Sequence, residues 1–271
     1  MEIIAFEGSF HGRSSAGIAA AGSEKMTRGF GPLLPGFTQV PFGDLEAVKA
    51  VLSPATAGIL IEPIQGEGGI NTPPVGFLRA LRELCDETGT LLMFDEVQCG
   101  MGRTGRLFAH EWAGVTPDIM MVAKGIGGGF PLGAVLATEE AARGMTAGTH
   151  GSTYGGNPLA CAVGIRVMEI VAEPAFLDAV SRKAGRFRQG LEGRVAARSE
   201  VFEAVKGEGL MLGLKCRAPM AEVVSAGLAA EILTVGAGDN TIRLLPALNI
   251  PEADIDEALI RLARAAESLA P

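Results

Sequence analysis

Leu91-Leu92-Met93-Phe94-Asp95-Glu96 decides how the rest of the chain is read. Four consecutive apolar residues suit a short strand buried on both faces, and the acidic pair marks where the buried run gives out. The same pattern stands on either side. Upstream, Gly58 to Ile64 is an apolar run broken by Glu62. Downstream, Ile119-Met120-Met121-Val122 leads into Ala123-Lys124 and the cluster Gly125-Ile126-Gly127-Gly128-Gly129. Between the first two runs, from about Val75 to Glu87, Phe77, Leu78, Leu81, Leu84 and Cys85 fall on one helical face, and Gly89 is placed to end the helix. Strands alternating with helices predict α/β units around a mostly parallel sheet. In such sheets ligands sit outside the carboxyl ends of the strands. Glu62, Asp95 and Lys124 are therefore expected to converge on one crevice.

Working outward, Met1 to Phe6 reads as a further strand and Gly133 to Ala137 as a fourth of the run. Pro158 to about Val171 reads as a helix opened by a proline in its first turn. Around Glu173-Pro174 the pattern changes. A helix over roughly Phe176–Val195 precedes short strands near Phe202–Lys206 and Met211–Lys215, then a helix and a strand pair near Leu233 and Thr241–Leu245. In the last helix Ile255, Leu259, Leu262, Ala266 and Leu269 share a face. The expectation is a large domain over 1–172 and a smaller α+β domain over 173–271.

Composition narrows the partners. The chain has 271 residues, 48% of them apolar and 20% charged, as in a globular protein. Its net charge of −8, with no Lys/Arg block, argues against nucleic acid or an anionic membrane as partner. No apolar stretch is long enough to span a bilayer, and the first residues lack the basic start of a signal peptide. Cys85, Cys99, Cys161 and Cys216 form no C-x-x-C pair, which suits a reduced, cytoplasmic protein. His11, His110 and His150 have no metal-ligand spacing, so no metal is expected.

Two residues carry chemistry by position. Lys124 is either a solvated surface lysine or an amine projected from a tight turn at a strand end. Desolvation there would favour a neutral, nucleophilic amine able to form an imine. The glycine run is not a dinucleotide fingerprint, since Phe130 takes the place of its last glycine, and no Gly-Lys-Ser/Thr follows to make a phosphate loop. Asp95, at the end of an apolar strand, needs a cationic partner. That partner is either an internal Arg or Lys or a protonated pyridine nitrogen.

Four ordered motifs join these positions: IEPIQGEGG (Ile61–Gly69), FDEVQCGMGRTG (Phe94–Gly105), AKGIGGGFPLGA (Ala123–Ala134) and HGSTYGGNPLA (His150–Ala160). Together they resemble the class III aminotransferases of fold type I. FEGSFHGR (Phe6–Arg13) and GAGDNTIRLLPAL (Gly236–Leu248) narrow the resemblance to the acetylornithine branch.

The resemblance implies pyridoxal 5'-phosphate as cofactor, with Lys124 forming the Schiff base and shuttling a proton. It makes Asp95 the partner of the ring nitrogen and Gln98 a contact of the ring hydroxyl, with Val97 and Phe10 on the two ring faces. Ser152 and Thr153 resemble residues that offer hydroxyls to the phosphate in the neighbouring subunit, which implies a homodimer with shared sites. Arg243 is expected to take the α-carboxylate of glutamate or 2-oxoglutarate, and Arg13 the carboxylate at the other end of the substrate. Glu67 matches a glutamate that pairs with Arg243 and masks its charge. Glu62 is expected to act behind the residues that touch the cofactor, and His11 to be structural.

The implied activity is ping-pong transamination between N-acetylornithine and 2-oxoglutarate in arginine biosynthesis. Ornithine, succinylornithine, 4-aminobutyrate or a diaminopimelate precursor remain alternative substrates, and a non-catalytic module that keeps the fold remains an alternative of another kind. The resemblance also implies a segment before the position of Met1 that includes a phosphate-cradling helix start, so the chain is expected to be a fragment of a longer protein, the alternative being a shortened protein that folds differently.

Overall fold

β1 (Glu2–Phe6) enters a six-stranded sheet beside the strands named above. The computed structural model describes residues 1–269; Ala270 and Pro271, at the end of the expected second domain, lie outside the described residues. Residues 15–51, unassigned from the sequence, form α1 (Ser15–Ala21), α2 (Glu24–Thr27), β2 (Phe37–Val40) and α3 (Leu45–Val51). Then follow β3 (Thr56–Ile61), α4 (Phe77–Thr88), β4 (Leu91–Asp95), β5 (Ile119–Val122), β6 (Ala134–Ala137) and α5 (Glu139–Ala142). The sheet runs β2-β1-β3-β4-β5-β6, parallel through its first five strands, with β6 antiparallel to β5.

α4 lays the predicted face, Phe77, Leu78, Leu81, Leu84 and Cys85, onto the sheet against Phe6, Ile59, Ile61, Leu92 and Phe94. Gly89 closes it with φ +69, a left-handed conformation that glycine adopts without strain. The strands were expected to be buried on both faces. Instead Leu92 and Phe94 are buried while Leu91 and Met93 are half-buried, and β5 alternates in the same way. α4 covers one face of these strands, and the other carries less cover.

α6 (Pro158–Val171) has the predicted bounds, with the Asn157 side chain accepting from Ala160 N at 2.9 Å as its cap. Beyond it, α7 (Pro174–Ala197), β7 (Phe202–Glu208), β8 (Met211–Cys216), α8 (Met220–Ala229), β9 (Val235–Ala237), β10 (Thr241–Leu244) and α9 (Glu252–Glu267) follow. A second sheet, β7-β8-β10-β9, is antiparallel throughout. Its core joins Phe187 and Leu191 of α7, Val223 of α8 and Ile255, Leu259, Leu262 and Ala266 of α9 to the strands. Among the described residues no helix is long and apolar enough to cross a membrane.

Candidate active site

A cavity of about 430 Å³ opens where β3, β4 and β5 end, and Glu62, Asp95 and Lys124 all line it together with Phe10, His11, Val97 and Gln98. The predicted convergence is what the topology produces, because β3, β4 and β5 are adjacent and parallel.

Asp95 closes β4 and is 7% exposed. Its Oδ1 accepts from Val97 N at 3.0 Å, and its Oδ2 lies 2.8 Å from His11 Nδ1. The protein partner of Asp95 is thus neither Arg nor Lys. His11, expected to be structural, borders the cavity and holds this carboxylate, while its Nε2 is buried without a partner among the described residues. The signal that could have found it is topological: β1 lies next to β3, so the chain leaving β1 reaches the same end of the sheet.

Glu62 follows β3 directly and is 4% exposed. Its two oxygens accept from Phe10 N at 2.9 Å and Gly66 N at 3.2 Å, fixing the loop that carries Phe10. Burial pushes its carboxyl up to about 7; His11 opposes this and Asp95 adds to it. The folded state therefore binds this proton more tightly than the unfolded chain, whose ordinary value is 4.5. Stability from this group is fully present below the unfolded value and falls as pH rises from there through about 7. We expect melting temperatures between pH 5 and 8 to show this loss, on the order of 1–3 kcal/mol, and Glu62→Gln to flatten the slope. An unchanged slope in Glu62→Gln would remove Glu62 as its source.

Lys124 opens a short 3-10 turn, Lys124–Gly127, with φ +48. A side chain in that left-handed region costs about 1–2 kcal/mol. Lys124 is exposed, so the burial invoked to activate its amine is not present. What the fold supplies is direction: a strained turn at the end of β5 that sets the lysine on the cavity wall.

Phe10 also lines a second cavity of about 560 Å³ with Ser9, Arg13, Lys25, Glu67 and Asp239. The Arg13 guanidinium carbon lies 5.4 Å from the centroid of the Phe10 ring. Arg243, on β10, is 8% exposed. Its Nη1 donates to Glu67 Oε1 at 2.5 Å and to Gln98 Oε1 at 3.3 Å, while its Nε is buried and unpaired among the described residues. One arginine therefore ties the small sheet to both cavities. Ser152 and Thr153 are exposed and line neither cavity, and the Ser152 hydroxyl accepts from Gly155 N at 3.0 Å.

Glu96, given no role from the sequence, is fully buried beside Asp95. It accepts from Ala109 N and His110 N at 2.9 and 2.8 Å, and its Oε1 lies 2.9 Å from His110 Nδ1. The Cys99 thiol donates to it as well, at 3.2 Å. These bonds fasten the loop carrying Val97 and Gln98, and burial pushes the Cys99 thiol well up, leaving it unreactive.

A parallel sheet with a buried carboxylate and a lysine at neighbouring strand ends is the arrangement of fold type I, the α/β transferases that work with pyridoxal phosphate. Comparison with known proteins places the chain within that class. Residues 1–266 match the family model Aminotransferase class-III. The acetylornithine aminotransferase of Rhodobacter capsulatus is 70% identical over 99% of this chain and 68% of its own. That of Mesorhizobium japonicum is 57% identical over 99% and 67%. Among solved structures, the N-acetylornithine aminotransferase of Stenotrophomonas maltophilia superposes with TM-score 0.82 at 36% identity, covering 99% of this chain and 66% of that one. The ornithine aminotransferase of Toxoplasma gondii gives 0.94 at 30%, covering 99% and 65%. The chain belongs to the class III aminotransferases and spans about two thirds of the length of the relatives it matches.

Members of this family depend on pyridoxal phosphate, and the residues present suit it. A buried carboxylate bordering the cavity, its histidine with an unpartnered Nε2, an aromatic wall at Phe10 and an accessible lysine meet in one crevice.

Proposed function

We propose that the chain carries transamination between N-acetylornithine and 2-oxoglutarate, yielding N-acetylglutamate 5-semialdehyde and glutamate, a step of arginine biosynthesis. The observation that carries the reading is Arg243 held 2.5 Å from a half-buried Glu67 beside the crevice. A guanidinium binds a carboxylate in fork geometry. With Glu67 in place its charge is matched, which suits an amine-bearing substrate end; with Glu67 turned aside it is free for the carboxylate of glutamate or 2-oxoglutarate. Arg13, on the wall of the second cavity, would take the carboxylate at the far end.

In this reading Lys124 would hold the cofactor covalently, and its Nζ, when not so engaged, would take a proton from the substrate carbon and return it. Asp95, its carboxylate fixed by His11, would hold the ring nitrogen. Phe10 and Val97 would flank the ring and Gln98 would meet its hydroxyl, and all three line the cavity. When bound, pyridoxal phosphate supplies an electron sink beside the amino-bearing carbon. Ser152 and Thr153, exposed and outside both cavities, would serve the phosphate of a second copy, which makes the working unit a homodimer. The two units are 1–172 and 173–271, and a cytoplasmic location fits four free cysteines.

The similarity in fold to an ornithine aminotransferase keeps ornithine as the second reading. Visible absorption separates them. With pyridoxal phosphate added, the protein should develop a yellow band that bleaches on N-acetylornithine but not on ornithine or 4-aminobutyrate. Bleaching by ornithine alone would replace the proposed substrate.

A further inference from the structure

The turn between β9 and β10 touches the Glu67 loop directly at one point and is linked to it at a second through Lys206 of β7. At its tip, Gly238 N donates to Glu67 O at 2.8 Å, in a contact so close that a Cβ on Gly69 would stand 2.6 Å from Gly238 O. On β7, Lys206 Nζ donates to Asn71 Oδ1 at 2.5 Å, and the Asn71 side chain in turn donates to Gln65 Oε1 and Gly68 O, both at 3.1 Å. Asp239 joins these contacts. Its Oδ2 lies 3.0 Å from Lys206 Nζ, its Oδ1 pairs with Lys215 Nζ, and its carbonyl accepts from Lys215 Nζ at 2.8 Å. Asp239 and Asn240 have φ +51 and +45, so the turn is held in a left-handed form by side-chain bonds, including Asn240 to Cys216 O at 2.6 Å. Three residues past Asn240 stands Arg243, whose guanidinium meets the Glu67 side chain.

We propose that Asp239 is a positioning residue: through Lys206, and braced by Lys215 of β8, it clamps the β9–β10 turn against the Glu67 loop and thereby sets the closeness of the Glu67–Arg243 pair. This rests on the reading in which Glu67 masks Arg243 for one substrate and releases it for the other. Asp239 touches neither partner of the pair. The hydrogen bond from Lys215 is the largest cause holding its carboxyl below the ordinary range, so the clamp is charged at neutral pH. Because the clamp acts on the loop backbone, it biases how readily Glu67 leaves Arg243.

The test uses Asp239→Asn, which keeps size and tolerates the left-handed backbone but removes the charge. Hydrogen exchange, measured without substrate, should quicken at the amides of Gly238 and Ile70 in Asp239→Asn; Lys206→Met, which cuts the tie to Asn71, should act in the same direction. Calorimetry with glutarate, a plain dicarboxylate, gives the second readout. Glutarate should bind Asp239→Asn about threefold more tightly, because Arg243 is less firmly masked, and this gain should vanish in the Glu67→Gln background. Unchanged exchange in both variants overturns the clamp, as does an equal change in affinity in both backgrounds, which would mark a general structural effect. Altered exchange with no glutarate binding by any variant supports the clamp and overturns the substrate reading beneath it.

Discussion

If Lys124 has the role proposed for it, Lys124→Ala is expected to abolish covalent attachment of pyridoxal phosphate and to lower transamination by about 10⁴-fold or more, since both the proposed covalent anchor and the proposed proton carrier would be lost. The fold should survive. Lys124 is exposed, makes no side-chain hydrogen bond among the described residues, and lies in a turn whose bonds are backbone ones, such as Ile126 N to Ala123 O at 3.3 Å. Its cost to the protein is conformational, a φ of +48 on a residue with a Cβ. Ala keeps that cost and Gly removes it, so Lys124→Gly should be inactive yet about 1 kcal/mol more stable than Lys124→Ala. Absorption and mass after borohydride reduction report attachment, and thermal melts report the fold. An adduct persisting at another lysine in Lys124→Ala would defeat the assignment. Equal stability of the two variants would instead show that the turn relaxes when the lysine is absent.

What was legible in the sequence follows from what has a period or a punctuation mark. β4 and β5 are uninterrupted apolar runs, α4 has one apolar stripe ended by Gly89, and α6 is opened by Pro158 and capped by Asn157. Such features place Glu62, Asp95 and Lys124 at strand ends, and parallel order then brings them together. The elements between residues 15 and 51 carried no comparable mark. α1 is SAGIAAA, whose small residues give no stripe, and β2 is four residues whose first three are only half-buried. The contact of His11 with Asp95 was hidden for another reason, because it depends on β1 lying beside β3 and not on any local pattern. The exposure of Lys124 was also out of reach: glycines on one side and apolar residues on the other are compatible with a buried or an open turn. The Glu67–Arg243 contact spans two sheets, and only the resemblance to a family could anticipate it.

Asp95→Asn should lower kcat by about 10³-fold, the scale of removing one preorganised charge opposite a reacting group. The change is nearly isosteric. Asn can still accept from Val97 N through its carbonyl oxygen, so the turn after β4 should hold. What is lost is the anion facing His11 Nδ1 at 2.8 Å, and with it the charge that would keep a ring nitrogen protonated. Asp95 is 7% exposed, so water cannot screen or replace it. Because Glu62 feels Asp95 as a like charge, the same substitution should move the Glu62 carboxyl down from about 7. Stability would then be lost with rising pH over a lower range, since the folded value sits closer to the unfolded one. Two independent readings thus attach to one substitution: single-turnover rates with N-acetylornithine, and the pH dependence of melting without any ligand. A wild-type rate in Asp95→Asn would rule out its partnership with the ring nitrogen. An unshifted melting profile would show that Glu62 owes its high value to burial alone.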